Sequence, residues 1–397
     1  MSVRTAVVLA AGEGTRLRPL TRNRPKPMLP AANRPILEHV LDALVDAGIE
    51  EIAVVVGYHR ERVQEYVGHS YRDVPITYVV QDKQLGSGHA LLAAREAVSG
   101  PLLVVNGDRL IEASAVTDVV EAFETDGAPA AMAVIERQDA RHYGAVTVRD
   151  RDVEQIVEKP ETDDYRLINA GIYAFEESVF AAIQATDRRA GELVLPDTIA
   201  RLIDLERVRA VRTGGLWVDA TYPWDLLEVA DEVLARGRVP QPSRQEGVWL
   251  DENARVATDA ILQPPVALGP DCEVDGGAVI GPNVALGRNV TVGANVTMAR
   301  SVCEDDVRVD PGATVLDAVL GQDVTLGAGA TVPGGRADVR VGTAVHEDQR
   351  LGAVLADRAD AGGGVTLAPG ALVGPNATLH PGVQVSGRVP EGAEVVR

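Results

Sequence analysis

Two hydrophobic rhythms divide the chain. Up to about residue 240, short apolar runs alternate with stretches in which apolar residues return at helical spacing. The runs at 5–10, 51–56, 76–80, 101–105 and 130–135 predict strands, and 36–47 and 88–98 predict helices. Alternation of this kind produces a largely parallel sheet with helices on both faces. Ligands of such sheets sit beyond the carboxyl ends of the strands, so residues directly after each run are the ones to examine. Beyond residue 250 the rhythm changes. Leu268, Val274, Ile280, Leu286, Val292 and Met298 stand six apart, and the spacing resumes at Leu320, Leu326 and Val332 and again at Leu367, Val373, Leu379 and Val385. A helix needs a period of 3.6 and a lone strand a period of 2. A six-residue aliphatic period with glycines at the turns is the signature of a parallel β-helix.

The chain therefore reads as an α/β protein, a mostly parallel Rossmann-like sheet at 1–237 followed by a left-handed parallel β-helix of hexapeptide repeats at 251–397. A Pro-rich polar segment at 238–250 links the two. The Gly- and Arg-rich stretch 333–350 interrupts the repeat and is expected to leave the coil as a loop. Stacked coils offer flat faces for assembly, so a homo-oligomer, a trimer or a pair of trimers, is expected.

Charge narrows the partners. The formal net charge of −20 would repel nucleic acid and anionic membrane alike, so neither is expected as a partner. No apolar run reaches the roughly 18 residues that a membrane span needs, and 5–11 lacks a signal-peptide pattern, which predicts a cytoplasmic protein. Cys272 and Cys303 make no disulfide framework and too few ligands for structural zinc. Only Lys26, Lys83 and Lys159 are lysines, against a majority of arginines. An acidic, lysine-poor surface suits high salt. A surviving lysine then marks a place that needs a compact point charge.

The segment after the first strand, Leu9-Ala-Ala-Gly-Glu-Gly-Thr-Arg-Leu-Arg-Pro-Leu-Thr21, has glycines at Gly12 and Gly14 that let backbone N–H groups approach a polyphosphate. Arg16 can grip phosphate oxygens through its guanidinium fork. Pro25-Lys26-Pro27-Met28-Leu29-Pro30 adds a stiff, positively charged element. Together the two segments resemble the sugar-1-phosphate nucleotidyltransferase family, and the likeness covers nearly the whole chain. With the repeat, the chain is most similar to the archaeal two-domain type, which resembles the bifunctional N-acetylglucosamine-1-phosphate uridyltransferase/acetyltransferases.

The resemblance implies that Leu9, Ala11, Gly12, Gly14 and Thr15 bind nucleotide and that Arg16 and Lys26 act in catalysis. It implies that Gln81 and Gly86, in Gln81-Asp-Lys-Gln-Leu-Gly-Ser-Gly-His-Ala90, recognise the base. His89 is expected to be structural. Asp108, ending Val104-Val-Asn-Gly-Asp108, and Asp219, in Trp217-Val-Asp219, are implied as Mg²⁺ ligands. Gly144, Glu158, Lys159 and Asn169 are implied to hold the sugar phosphate. The implied reaction is in-line attack of a sugar-1-phosphate on the α-phosphate of UTP or dTTP. The Leu-Gly-Ser-Gly-His loop favours UTP with N-acetylglucosamine-1-phosphate. Glucose-1-phosphate with UTP or dTTP is the enzymatic alternative, and a non-catalytic regulatory or scaffold role is the other. In acetyltransferring relatives the interrupting loop carries a histidine base. Here Ala337 stands at that position, with His346 and His380 as the remaining candidates, so acetyl transfer is not favoured.

Overall fold

In the computed structural model, strand Thr5–Leu9 lies between Glu51–Val56 and Leu102–Asn106 and runs parallel to both. The structure describes residues 2–138, 140–158, 160–162 and 164–396. It falls into two units: one holds the chain up to Glu13 with Ile36–Val218, the other Gly14–Pro35 with the chain from Asp219 onward. Lys159, implied above for the sugar phosphate, lies outside the described residues.

The first unit is a ten-stranded mixed sheet. Val74–Val80 continues the parallel run beyond Glu51–Val56. On the other side Leu167–Phe175 reverses direction and pairs antiparallel with both Leu102–Asn106 and Ala130–Glu136. All nine residues of that strand are buried, as expected for a strand covered on both faces. Alternation sends Val7, Val55 and Val104 to one face, where they meet Leu91 of helix Ser87–Ala93, Phe180 of Val179–Gln184 and Ile199 of Leu195–Leu205. Helices Ile36–Asp46 and Ala113–Asp126 pack against each other. Ile36–Asp46 matches its expected span closely. The helix expected over 88–98 is shorter and gives way to a 3₁₀ turn at Ala94–Ala97.

The second unit contains the repeat, and three parallel sheets run along it. Val266–Leu268 stacks on Val284–Leu286 in register, then on Ser301–Cys303 and Ala318–Leu320. Thus Leu268, Leu286, Cys303 and Leu320 form one inward column, each fully buried. This is the architecture of the β-helix that the six-residue period predicts. Both cysteines are free and buried in this core, and burial pushes the Cys272 thiol up to about 12.

The interruption at 333–350 does leave the coil, but as a hairpin: Arg336–Val341 pairs antiparallel with Ala344–Arg350. Its root is held by Asp317, which is buried. Asp317 Oδ2 accepts from the Gly335 amide at 3.0 Å, and Oδ1 lies 3.1 Å from Arg350 Nε and 3.5 Å from the Arg300 guanidinium. Coil regularity resumes at Ala353–Leu355, stacked on Ala318–Leu320.

The segment 14–35 belongs to this unit through buried ion pairs. Arg24 binds the carboxylates of Glu304 and, at 2.7 Å, Asp357. Helix Asp225–Ala235 joins in the same way, Asp231 meeting Arg300 at 3.0 Å.

Leu320→Ala should remove about 2–5 kcal/mol from the repeat, because the closed column cannot collapse around the lost side chain. Guanidinium unfolding read by circular dichroism checks this, and a shift under about 1 kcal/mol would mean that the coils do not share one packed core.

Candidate functional site

Three strands of one parallel run, with Glu51–Val56 lying between two of them, end at the same edge of the sheet and deliver three of the expected residues there. Gly12 follows Thr5–Leu9, Gln81 follows Val74–Val80, and Asp108 follows Leu102–Asn106. Backbone and side-chain hydrogen bonds brace these turns. Gly107 N–H donates to Leu9 C=O at 2.9 Å, Gln81 N–H to Val56 C=O at 2.8 Å, and Gln84 Nε2 to Ala11 C=O at 3.1 Å. A Cβ built at Gly12 would meet nothing within 4 Å, so the backbone there is open to close approach by a ligand. At Gly107 it would lie 2.9 Å from Val8 Cγ1, so that glycine serves the packing of the turn.

The Gln81 side chain is buried and partly engaged. Its Nε2 donates to Gly86 C=O at 3.1 Å and lies 2.9 Å from His89 Nδ1. Since Gly86 C=O only accepts, the amide nitrogen must face it, and His89 Nδ1 is then the acceptor with the ring proton on Nε2. His89 therefore holds Gln81 in place, in line with its expected structural role. Gly86 has φ +97, and a Cβ there would lie 2.4 Å from Leu193 C=O. The close approach that requires glycine is to the chain's own backbone.

The residues implied for the sugar lie on the antiparallel side of the same unit. Gly144 stands opposite Glu158 in the ladder, and a Cβ on it would come 3.2 Å from Glu158 Oε2. Asn169 is spent largely on its own strand. Oδ1 accepts from the Gly171 amide at 3.0 Å and Nδ2 donates to Tyr173 Oη at 2.7 Å. Together these bonds hold the irregularity between Asn169 and Tyr173. Burial raises the Tyr173 phenol above its usual range, and Glu158 adds to the shift while Arg109 opposes it.

Beside these residues the structure places a group that the sequence did not single out. The guanidinium of Arg109 lies 5.3 Å and that of Arg137 5.5 Å from the Trp217 ring, cation–π distances. Tyr143 meets the same ring edge-on, and Trp217 Nε1 donates to Ala170 C=O at 2.8 Å. The one signal available was Trp217 itself, a rare residue two positions before an expected metal ligand.

In the second unit Gly14, Thr15 and Arg16 open a tight turn. Gly14 has φ +67, its carbonyl accepts from Thr21 Oγ1 at 2.8 Å, and a Cβ on it would strike Lys26 Cβ at 2.8 Å. Arg16 is exposed on the 3₁₀ turn Thr15–Leu17. Lys26 Nζ lies 2.8 Å from Asp219 Oδ1, with side chains only 13% and 7% exposed. Asp219 Oδ2 accepts from Thr221 Oγ1 at 3.0 Å. Two expected residues 193 positions apart are thus in direct contact. Asp219 presents hard oxygens to a cation, the donor type that Mg²⁺ takes. Among the described residues no three His, Cys, Asp or Glu side chains gather as a ready metal cage. Nearby, burial pushes the Asp225 carboxyl up to about 7, although the amides of Thr221 and Tyr222 donate to it at 2.8 and 2.7 Å.

His346, a candidate base for acetyl transfer, packs on aromatic rings, 4.3 Å from Tyr222 and 5.3 Å from Trp224. Ala337 lies in the first hairpin strand opposite Gln349, and His380 Nε2 bonds Glu394 at 2.5 Å.

Known proteins resemble this chain in sequence and fold. The Nucleotidyl transferase family model matches residues 5–236, and the GMPPB C-terminal domain model matches 262–366. The bifunctional protein GlmU of Methanococcus vannielii is 31% identical over 394 residues, spanning 93% of this chain and 91% of that protein. The UTP–glucose-1-phosphate uridylyltransferase AglF of Haloferax volcanii is 39% identical over 227 residues, 55% of this chain and 92% of its own length. A solved UDP-glucose pyrophosphorylase complexed with UDP-glucose superposes with a TM-score of 0.54 at 22% identity, over 59% of this chain and 99% of that one, a likeness of fold. Among the described residues no helix is long and apolar enough to cross a membrane. The chain belongs to the sugar-1-phosphate nucleotidyltransferase family and is an enzyme that transfers nucleotidyl groups.

Proposed function

We propose that the chain joins UTP to a sugar-1-phosphate, with N-acetylglucosamine-1-phosphate favoured, to give a UDP-sugar and pyrophosphate. The observation that carries this reading is the Lys26–Asp219 pair. The resemblance assigns the ammonium to phosphate and the carboxylate to metal, and without either ligand each neutralises the other. In that pair Lys26 Nζ stands where a cation would stand against Asp219.

The sugar phosphate is already an anion and needs no strong base to attack. The work of the chain is to hold its oxygen in line with the α-phosphorus and to offset negative charge. Gly12 and Gly14 bring backbone close to the polyphosphate, with Leu9, Ala11 and Thr15 completing the nucleotide contacts. Arg16 and Lys26 stabilise charge on the transferring phosphate and the departing pyrophosphate. Magnesium bound through Asp108 and Asp219 would neutralise phosphate oxygens as a Lewis acid. Gln81, oriented by His89, faces the pyrimidine edge, and Gly86 shapes the turn that holds it. Gly144, Glu158 and Asn169 hold the sugar, as does Lys159 by its resemblance.

The UTP–glucose-1-phosphate uridylyltransferase AglF supports UTP. The likeness to AglF, at 39% identity, favours glucose-1-phosphate as the second reading. For the repeat we propose assembly into a homo-oligomer. Ala337 and the packed His346 argue against acetyl transfer.

Asp108→Ala should lower pyrophosphate release by about a hundredfold or more in a protein that still melts normally, since one contact to transferring charge contributes on the order of 3 kcal/mol. Lys26→Ala should do the same but also lose stability, because it strands the little-exposed Asp219 carboxylate. Wild-type rates from both variants would remove the mechanism. Turnover should be higher with UTP than with dTTP or GTP, and highest with N-acetylglucosamine-1-phosphate, in a coupled pyrophosphate assay run at high and low KCl. Faster turnover of glucose-1-phosphate would select the second reading. Acetyl-CoA with glucosamine-1-phosphate should release no free thiol above background, and steady thiol release would restore the acetyltransferase.

A further inference from the structure

Asp219 is followed by an irregular stretch, 220–224, that runs into helix Asp225–Ala235. Neither sheet nor helix orders this turn, so its order comes from side chains. Asp225 Oδ2 accepts from the amides of Thr221 and Tyr222 at 2.8 and 2.7 Å, and Thr221 Oγ1 donates to Asp219 Oδ2 at 3.0 Å. A carboxylate reaching back to amides just ahead of its helix is a familiar way to start a helix. Here it does more. Thr221, whose amide it fixes, is also the residue that aims the Asp219 carboxylate.

The side chains of the same turn meet the hairpin that interrupts the repeat. His346, in its second strand Ala344–Arg350, lies 4.3 Å from the Tyr222 ring and 5.3 Å from that of Trp224. Tyr222 and Trp224 stack on each other at 4.8 Å, and Trp224 is buried, so the three rings form one packed group. The hairpin reaches the helix a second time at its root. Arg350 meets Asp317 at 3.1 Å, Asp317 meets Arg300 at 3.5 Å, and Arg300 meets Asp231 of the helix at 3.0 Å. The helix also packs on the coil strands Ser301–Cys303 and Ala318–Leu320. The hairpin is thus tied to the helix both at the turn before it and along its length.

We propose that the hairpin is a positioning element for nucleotidyl transfer: the His346 ring, packed on Tyr222, fixes the turn from which the Thr221 hydroxyl aims Asp219. Asp225 fixes the same turn from the helix side. Both residues act through Asp219 and are positioning residues, so the inference rests on the role proposed for Asp219 above. Partners that orient a metal-binding carboxylate set its affinity as surely as the carboxylate itself does. A single oxygen of Asp219 is held by Thr221, and the other meets Lys26, so a turn that drifts misaligns the carboxylate toward both cation and ammonium. The interruption of the repeat therefore serves the nucleotidyl reaction, with His346 used for its flat ring.

The test uses the full chain as His346→Ala, His346→Phe, Asp225→Ala and the His346→Ala/Asp225→Ala double variant, with Asp219→Ala as reference. In protein free of metal and nucleotide, deuterium uptake by peptides spanning 219–225 should rise in both alanine variants. It should stay at the wild-type level in His346→Phe, which keeps a ring against Tyr222. In pyrophosphate release at saturating UTP and sugar phosphate, the magnesium concentration for half-maximal rate should rise about tenfold in each alanine variant. The KM for UTP at saturating magnesium should stay within about twofold of wild type, and His346→Phe should restore the wild-type magnesium dependence. The double variant should lose less than the product of the single losses, because both act through one turn. Wild-type magnesium dependence in His346→Ala, with Asp219→Ala inactive, would overturn the role of the hairpin and leave the proposed reaction standing. A loss that His346→Phe shares with His346→Ala would mean that the imidazole itself touches substrate, which also overturns the positioning role. Full activity in Asp219→Ala would instead remove the reading on which the inference rests.

Discussion

Lys26 and Asp219 constrain one another more tightly than any other pair among the expected site residues. Both are largely withdrawn from water, and a buried charge is tolerated only when it is paired. An arriving triphosphate that takes Lys26 therefore leaves Asp219 needing another cation, and an arriving cation that takes Asp219 frees Lys26 for phosphate. On the proposed mechanism the two binding events would favour each other through this exchange. Thr221 keeps the second Asp219 oxygen in place while partners change.

Much of this was legible from periodicity. The run at 51–56 is a strand over the same residues, and the six-residue spacing gave the coil columns because each inward position has the same neighbours above and below. Gly12 could be read as a turn open to phosphate from the glycine spacing together with the Pro25–Pro30 segment downstream. Other features depend on contacts that no local pattern records. The strand Leu167–Phe175 reverses direction, which its largely apolar run does not encode. Stretch 333–350 pairs with itself because Asp317, outside it, clamps its root. Asn169 looks like a free amide in sequence, and its bonds to Gly171 and Tyr173 emerge only once the strand bulges. Gly86 reads as a site for ligand approach, yet the atom that would collide with its Cβ is Leu193 C=O.

Acidity sharpens the contrast between surface and site. With a net charge of −20, the chain repels most anions at long range. Substrates of this family are themselves anions, so binding depends on short-range gathering of guanidinium and ammonium groups. High salt lessens the long-range penalty, since the Debye length falls to about 3 Å at 1 M, while little-exposed pairs are screened far less.

The ties of Arg24 bear on how such a chain can change over generations. Its guanidinium is enclosed by Glu304 and Asp357, both set in turns of the coil, while its neighbours in sequence form the signature segment. A coil domain borrowed from elsewhere without those two acids would leave a cation stranded in the interior. Recombination at the Pro-rich linker would thus be selected against even where the reading frame is kept, and the two halves are bound to be inherited as a matched set.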